Sequence, residues 1–60
     1  DYQVEFKWIL GYAHLIRGKS TELAYGRSEM VLGDYKEASI HLTHYPEYQE
    51  ARYLMRHPIR

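Results

Sequence analysis

Arginine and tyrosine side chains recur at four-residue intervals near the end of the sequence. Arg52, Arg56 and Arg60 follow Tyr48 along one line of a helix. The arginine fork can bind a carboxylate through two parallel hydrogen bonds, and both residue types are enriched among the interface residues that contribute most to binding. The pattern indicates a surface for acidic peptides. A solvated basic face that interacts favourably with the helix C-terminus is the alternative.

A carboxylate and two imidazoles form a second candidate group. Glu37, His41 and His44 fall at i, i+4 and i+7, which places them roughly on one face of a helix. Such side chains can bind zinc, with water completing the coordination shell. No clear fourth ligand is present unless the fold brings His14 or His57 close. Surface histidines beside a carboxylate are the simpler interpretation, so we expect no metal and no other cofactor.

No local motif prepares a catalytic nucleophile. Ser20, Ser28 and Ser39 offer hydroxyl groups, but no pattern positions a base beside any of them. The stretch RGKST, residues 17–21, lacks the upstream glycines and the strand of a phosphate-binding loop. We interpret it as a helix end followed by a helix cap. The chain is therefore not expected to be an enzyme.

Composition limits the remaining classes of function. The 60 residues carry 8 basic and 8 acidic side chains, and this neutral balance argues against a general binder of nucleic acids or of membrane surfaces. No apolar run approaches the roughly 18 residues that are needed to span a bilayer. The absence of cysteine excludes disulfides and thiolate metal sites. It also removes the usual mark of a small secreted domain, which favours a cytoplasmic location.

Glycine and proline divide the chain at nearly even intervals, at Gly18, Gly33, Pro46 and Pro58. The apolar spacing between them is helical and not alternating. We place the end of a first helix at Gly18 and the end of a second at Gly33. A third helix stops at Pro46, since proline disfavours helical geometry at the residue before it. A fourth begins with Pro46 and stops before His57-Pro58. The prediction is an all-α fold of four short helices.

Polar residues after two of these boundaries are typical helix caps. Ser20 or Thr21 can accept a hydrogen bond from a free backbone N–H at the start of the second helix. Asp34 can do the same for the third helix, and Glu37 stands three residues later, as in a capping box.

Gly11 and Gly26 lie inside the predicted helices, where glycine costs about 1 kcal/mol relative to alanine. Close approach of a neighbouring helix would explain both, and glycines tolerated by chance in a short sequence are the alternative. Each of these glycines also precedes another by seven residues, at Gly18 and Gly33, and this suggests a repeating unit.

The stretch ELAYGRSEMVLGDYKEASIHL, residues 22–42, resembles a tetratricopeptide repeat. A large and a small residue, Tyr25 and Gly26, occupy the motif positions in the first helix, and Gly33-Asp34-Tyr35 corresponds to the turn. A small and a large residue, Ala38 and Leu42, occupy the motif positions in the second helix. Upstream, WILGYAHLIRGKS is similar to the first helix and turn of a preceding unit. Tyr45 departs from the small residue usual in the family, and the offset between the two stretches is shorter than the repeat of about 34 residues.

The resemblance implies stacked antiparallel helical hairpins that present a concave surface to a protein or peptide. It would place Arg27 and Met30 on that surface. We expect residues 1–60 to be one small helical domain, or a piece of a longer repeat array, that binds a protein or an acidic peptide through a helical groove. An oligomerising or engineered helical scaffold without a ligand is the alternative, and a homo-oligomer is left open. The expected partner-binding residues are Arg27, Met30, Tyr48, Arg52 and Arg56.

Overall fold

The computed structural model describes the backbone of residues 2–59 and the side chains of residues 6–59. Within this part the chain forms three α-helices and no strand: α1 (Tyr2–Tyr25), α2 (Glu29–His41) and α3 (Glu47–Arg56). The all-α class is confirmed. The prediction of four helices arranged as stacked hairpins is wrong, because α1 includes the first predicted helix and part of the second.

The α1 helix continues through Gly18, and α2 occupies the space that the missing side chain leaves. A Cβ atom on Gly18 would lie 2.8 Å from Cε1 of Tyr35, and one on Gly11 would lie 2.7 Å from Cγ of Leu42. Both distances are shorter than van der Waals contact, so only glycine lets α2 approach this closely. The predicted close approach at Gly11 is confirmed, and the predicted helix end at Gly18 is wrong.

Gly26 ends α1 instead. Its φ angle is +93°, in the left-handed region that favours glycine. Its N–H still donates to the Glu22 carbonyl at 2.8 Å. Two residues later Ser28 caps α2, because its Oγ accepts a hydrogen bond from the Val31 N–H at 3.2 Å. The predicted cap at Ser20 or Thr21 is therefore wrong, because both residues lie inside α1. The predicted close approach at Gly26 is also wrong, since a Cβ there would meet nothing within 4 Å.

The predicted boundary at Gly33 and Asp34 lies inside α2. Gly33 is exposed, and a Cβ there would also meet nothing within 4 Å. Asp34 is buried and faces α1, so it does not cap a helix. The turn that the tetratricopeptide resemblance requires at this point is thus part of a continuous helix.

The core lies where α2 packs against α1 and against α3. Its buried members are Leu15, Val31, Tyr35, Ala38, Leu42, Ala51 and Leu54. Pro46 immediately precedes α3, and its φ of −57° suits a helix start. The predicted start and end of this last helix agree with the structure.

Candidate partner-binding face of the third helix

One face of α3 lies in the core and the other is open to solvent. Ala51 and Leu54 form the buried side. The side chains on the outer side line an open groove of about 380 Å³: Tyr48, Gln49, Arg52, Tyr53, Arg56 and His57. We call these six residues the basic face. All of them belong to α3 or to the residue that follows it, so the i, i+4 spacing of one helix brings them together.

Contacts between neighbouring turns order the basic face. Arg52 Nη1 donates to the Tyr48 hydroxyl at 3.0 Å, and the guanidinium carbon lies 5.8 Å from the centre of the Tyr48 ring. The rings of Tyr53 and His57 stack with their centroids 4.5 Å apart. These contacts restrict side chains that a ligand would otherwise have to order, which lowers the entropic cost of binding.

The charges of α3 are divided between its two sides. Glu50 Oε2 accepts a hydrogen bond from Lys19 Nζ at 2.7 Å, and Glu47 Oε1 accepts one from Trp8 Nε1 at 3.1 Å. Both carboxylates are therefore directed toward α1. Among the side chains of residues 6–59, no carboxylate bonds the arginines of the basic face. The outer side of α3 consequently presents positive charge to solvent.

Arg27 does not extend this face, because its guanidinium is used inside the molecule. It donates to the carbonyls of Leu54, of Met55 at 3.2 Å and of His57 at 3.0 Å. In a longer helix the Leu54 carbonyl would accept from the N–H of residue 58, but Pro58 has none. Arg27 thus supplies donors that the end of α3 lacks.

Glu22 holds the Arg27 guanidinium in place. Its buried carboxylate accepts hydrogen bonds from the Tyr35 hydroxyl at 2.6 Å, from Arg27 Nε at 3.1 Å and from the Ile59 N–H at 3.3 Å. Burial raises the pKa of Glu22, but these hydrogen bonds outweigh it and lower the pKa below its ordinary value. Burial and the bond to Glu22 raise the pKa of Tyr35. We call Glu22, Arg27, Tyr35 and Ile59 the clasp.

Asp34 forms a second buried polar contact, between α2 and α1. Arg17 binds its carboxylate with both ends of the guanidinium fork, Nη2 at 2.6 Å and Nε at 3.0 Å. His14 Nδ1 lies 3.1 Å from the same carboxylate. The hydrogen bonds from Arg17 lower the pKa of Asp34 against the opposing effect of burial, and His14 adds to the lowering. The same contact raises the pKa of Arg17.

The structure brings together only the three binding residues predicted on α3. Arg27, in the connection between α1 and α2, bonds the carbonyls at the end of α3 and does not line the groove. Met30 is in the first turn of α2 and is exposed, and it does not line the groove. Gln49, Tyr53 and His57 line the groove and were missed. The four-residue interval between Tyr53 and His57 was the signal that could have identified the aromatic part of the face.

The second candidate group is not assembled as predicted. His41 Nε2 lies 3.6 Å from Glu37 Oε2, and its ring stacks on His14 with centroids 6.2 Å apart. His44 lies in the turn after α2, so it does not share a helical face with the other two. Across the described residues, no three such side chains are grouped to hold a metal ion.

Comparison with protein-family models, with curated proteins and with solved structures finds no match. The resemblance to tetratricopeptide repeats therefore stays a prediction based on its motif residues, although the helix boundaries that it implied are wrong. In the part of the chain that the structure describes, none of the helices combines the length and hydropathy needed to cross a membrane.

Proposed function

We propose that the protein is an interaction module that binds an acidic segment of another protein through the basic face of α3. The observation that supports this most directly is the division of charge on α3. Its two carboxylates, Glu47 and Glu50, are bonded to α1, whereas its arginines are on the open side. Electrostatic complementarity would speed the encounter with an acidic partner and disfavour a basic one.

The spacing of the two arginines suggests how the ligand is arranged. Arg52 and Arg56 are one helical turn apart, which is about 6 Å along the axis. Carboxylates two residues apart in an extended peptide have a similar separation, since a strand rises about 3.3 Å per residue. Tyr53 is 61% exposed beside them and offers an apolar surface for a neighbouring side chain. A short peptide with alternating acidic residues and one apolar residue is the ligand that this geometry favours.

A calorimetric titration with such a peptide tests the proposal. We expect binding that weakens as salt is added, because the contacts are between exposed charges. The double variant Arg52→Gln, Arg56→Gln should bind at least tenfold more weakly, a change of about 1.4 kcal/mol. The variant Lys7→Gln, Lys36→Gln removes the same charge from exposed positions on α1 and α2 and should bind as the wild type does. Equal weakening of peptide binding in both variants would show that overall charge explains the effect. It would contradict specific binding at the basic face.

A further inference from the structure

The α1 helix has two long faces, and only one of them is covered. Gly11, Leu15, Gly18 and Glu22 are buried. On the other side an exposed row of mostly apolar residues runs along the helix: Phe6, Ile9, Ala13, Ile16, Ser20 and Leu23. We call this row the apolar stripe. At 3.6 residues per turn, its centre lies about 160° from the centre of the buried face.

The spacing of the apolar stripe is that of a coiled coil. Its members follow one another at alternating steps of three and four residues, as the a and d positions of a heptad do. The large side chains remain substantially exposed, with Phe6 at 65%, Ile9 at 58% and Leu23 at 48%. A regular apolar row of this kind on a helix is suited to pack against a second helix with the same spacing.

A second copy of α1 in antiparallel orientation has the complementary shape. When the two ends of the stripe are aligned, each small residue meets a large one: Ile9 lies opposite Ser20, and Ala13 lies opposite Ile16. Phe6 lies opposite Leu23 at each end of the pair. Alternation of large and small side chains lets facing layers interdigitate. In a parallel pair with the same overlap, Ala13 would face Ala13 and Ser20 would face Ser20, which leaves gaps. The antiparallel orientation also sets opposite ends of the helix dipoles side by side.

The charges beside the stripe are compatible with a second copy. Arg17 and Lys19 flank it, and each is bonded within its own chain, to Asp34 at 2.6 Å and to Glu50 at 2.7 Å. Two copies would therefore not bring uncompensated lysine and arginine charges together. The formal net charge of zero adds no long-range repulsion between them.

We propose that the protein forms an antiparallel homodimer through the apolar stripe of α1. The stripe extends over about 26 Å of helix, from Phe6 to Leu23. It shares no residue with the basic face, so self-association and peptide binding use separate surfaces. A dimer would carry two basic faces and could bind a partner that has two acidic segments with increased avidity.

Sedimentation of the wild type and of two matched variants over a wide concentration range tests the dimer. The mass of the wild type should rise from one chain to two as concentration increases, and Ile9→Glu should stay monomeric with unchanged helical circular dichroism. Ile40→Glu is the control, because Ile40 is 55% exposed on α2 and lies outside the stripe. This variant should dimerise as the wild type does. A monomeric wild type, or equal loss of the dimer in both variants, would overturn the proposal.

Cysteine cross-linking tests the orientation, since the chain contains no cysteine. A mixture of Ile9→Cys chains with Ser20→Cys chains should form mixed disulfides in the antiparallel dimer. Ser20→Cys alone should cross-link poorly, because two copies of residue 20 then lie at opposite ends of the interface. Efficient cross-linking of Ser20→Cys with itself would overturn the antiparallel arrangement.

Discussion

The contact between α1 and α2 and the attachment of α3 are built from different kinds of interaction. Between α1 and α2, the absence of side chains at Gly11 and Gly18 lets Leu42 and Tyr35 reach the backbone of α1. The end of α3 is instead held by Arg27, whose guanidinium donates to three of its carbonyls. The first contact depends on steric fit and the second on hydrogen-bond donors.

The two contacts should therefore respond differently to substitution. An added methyl group between α1 and α2 forces closely packed atoms apart. The loss in the free energy of unfolding depends on how far these atoms can move. Removal of one group from the clasp leaves its partners buried without hydrogen bonds, and the cost depends on how many partners remain. Glu22 belongs to both contacts, since it bonds Tyr35 of the core and Arg27 of the clasp.

The largest effect is expected for Glu22→Gln. The amide keeps the shape of the carboxylate but removes the charge that accepts from Tyr35, Arg27 and the Ile59 N–H. We expect a loss of about 3 kcal/mol in the free energy of unfolding. A chain of this size has only about 3–9 kcal/mol in total. Urea denaturation, monitored by the helical circular dichroism signal, measures the change in the free energy of unfolding.

Glu50→Gln is the matched control for this substitution. Glu50 bonds Lys19 in an exposed pair that is screened by water, and its loss should change the free energy of unfolding by less than about 0.5 kcal/mol. Similar losses for the two variants would show that the clasp contributes no more than a surface ion pair.

A smaller effect is expected between α1 and α2 from Gly11→Ala. The new Cβ would lie 2.7 Å from Leu42 Cγ and 2.9 Å from His41 Cβ, so α2 must shift. We expect a loss of about 2 kcal/mol. Gly33→Ala makes the same chemical change in α2 where nothing lies within 4 Å, and it should raise stability by about 0.5–1 kcal/mol. A loss at Gly33, or none at Gly11, would contradict the steric explanation; thermal denaturation distinguishes these results.

The smallest effect is expected from the Asp34 carboxylate, and it depends on pH. The pKa values of Glu22 and Asp34 are lowered in the folded chain. The stabilisation of the fold by these two ionised carboxylates is therefore fully present above their pKa values in the unfolded chain, about 4. It is lost as pH falls through their lower pKa values in the folded chain. Asp34→Asn should cost about 1 kcal/mol at neutral pH, because Arg17 is largely exposed and its attraction is screened.

The difference in the free energy of unfolding between wild type and Asp34→Asn should then shrink as pH falls. Denaturation curves recorded from pH 6 down to 2.5, roughly the range over which carboxylates titrate, measure this difference. Alanine at the exposed Ser20 provides a variant whose difference from the wild type should not depend on pH. A constant difference for Asp34→Asn across this range would show that its ionisation does not contribute to folding.

Glycine illustrates how much of the fold could be read from the sequence. Helical spacing of apolar residues identifies the all-α class, and Pro46 and Pro58 place α3. The glycines are ambiguous because the same residue type has three different roles in this chain. Gly18 makes room for another helix, Gly26 ends α1 with a positive φ, and Gly33 is simply exposed. Only the tertiary structure shows that Gly18 faces Tyr35 of α2 whereas Gly33 faces no neighbour, and the local sequence does not contain that information.

The candidate site was predictable to the extent that it lies on one helix. The spacing of Tyr48, Arg52 and Arg56 identifies the basic face, because i, i+4 neighbours meet on any helix. Arg27 has the same side chain and was predicted to bind a partner as well. Its acceptors on α3 are 27–30 residues away in the sequence, so only the tertiary structure shows that it is occupied.

This separation has a consequence for the order of folding. The contacts of Arg27 with α3 close loops of 27–30 residues, and each is entropically costly until other contacts have brought the segments together. The α1–α2 hairpin, with its three-residue connection between Tyr25 and Glu29, has shorter loops to close. We therefore expect the hairpin to form the nucleus and α3 to dock late. Substitution of Arg27, whose guanidinium bonds the end of α3, should accelerate unfolding while leaving the folding rate almost unchanged.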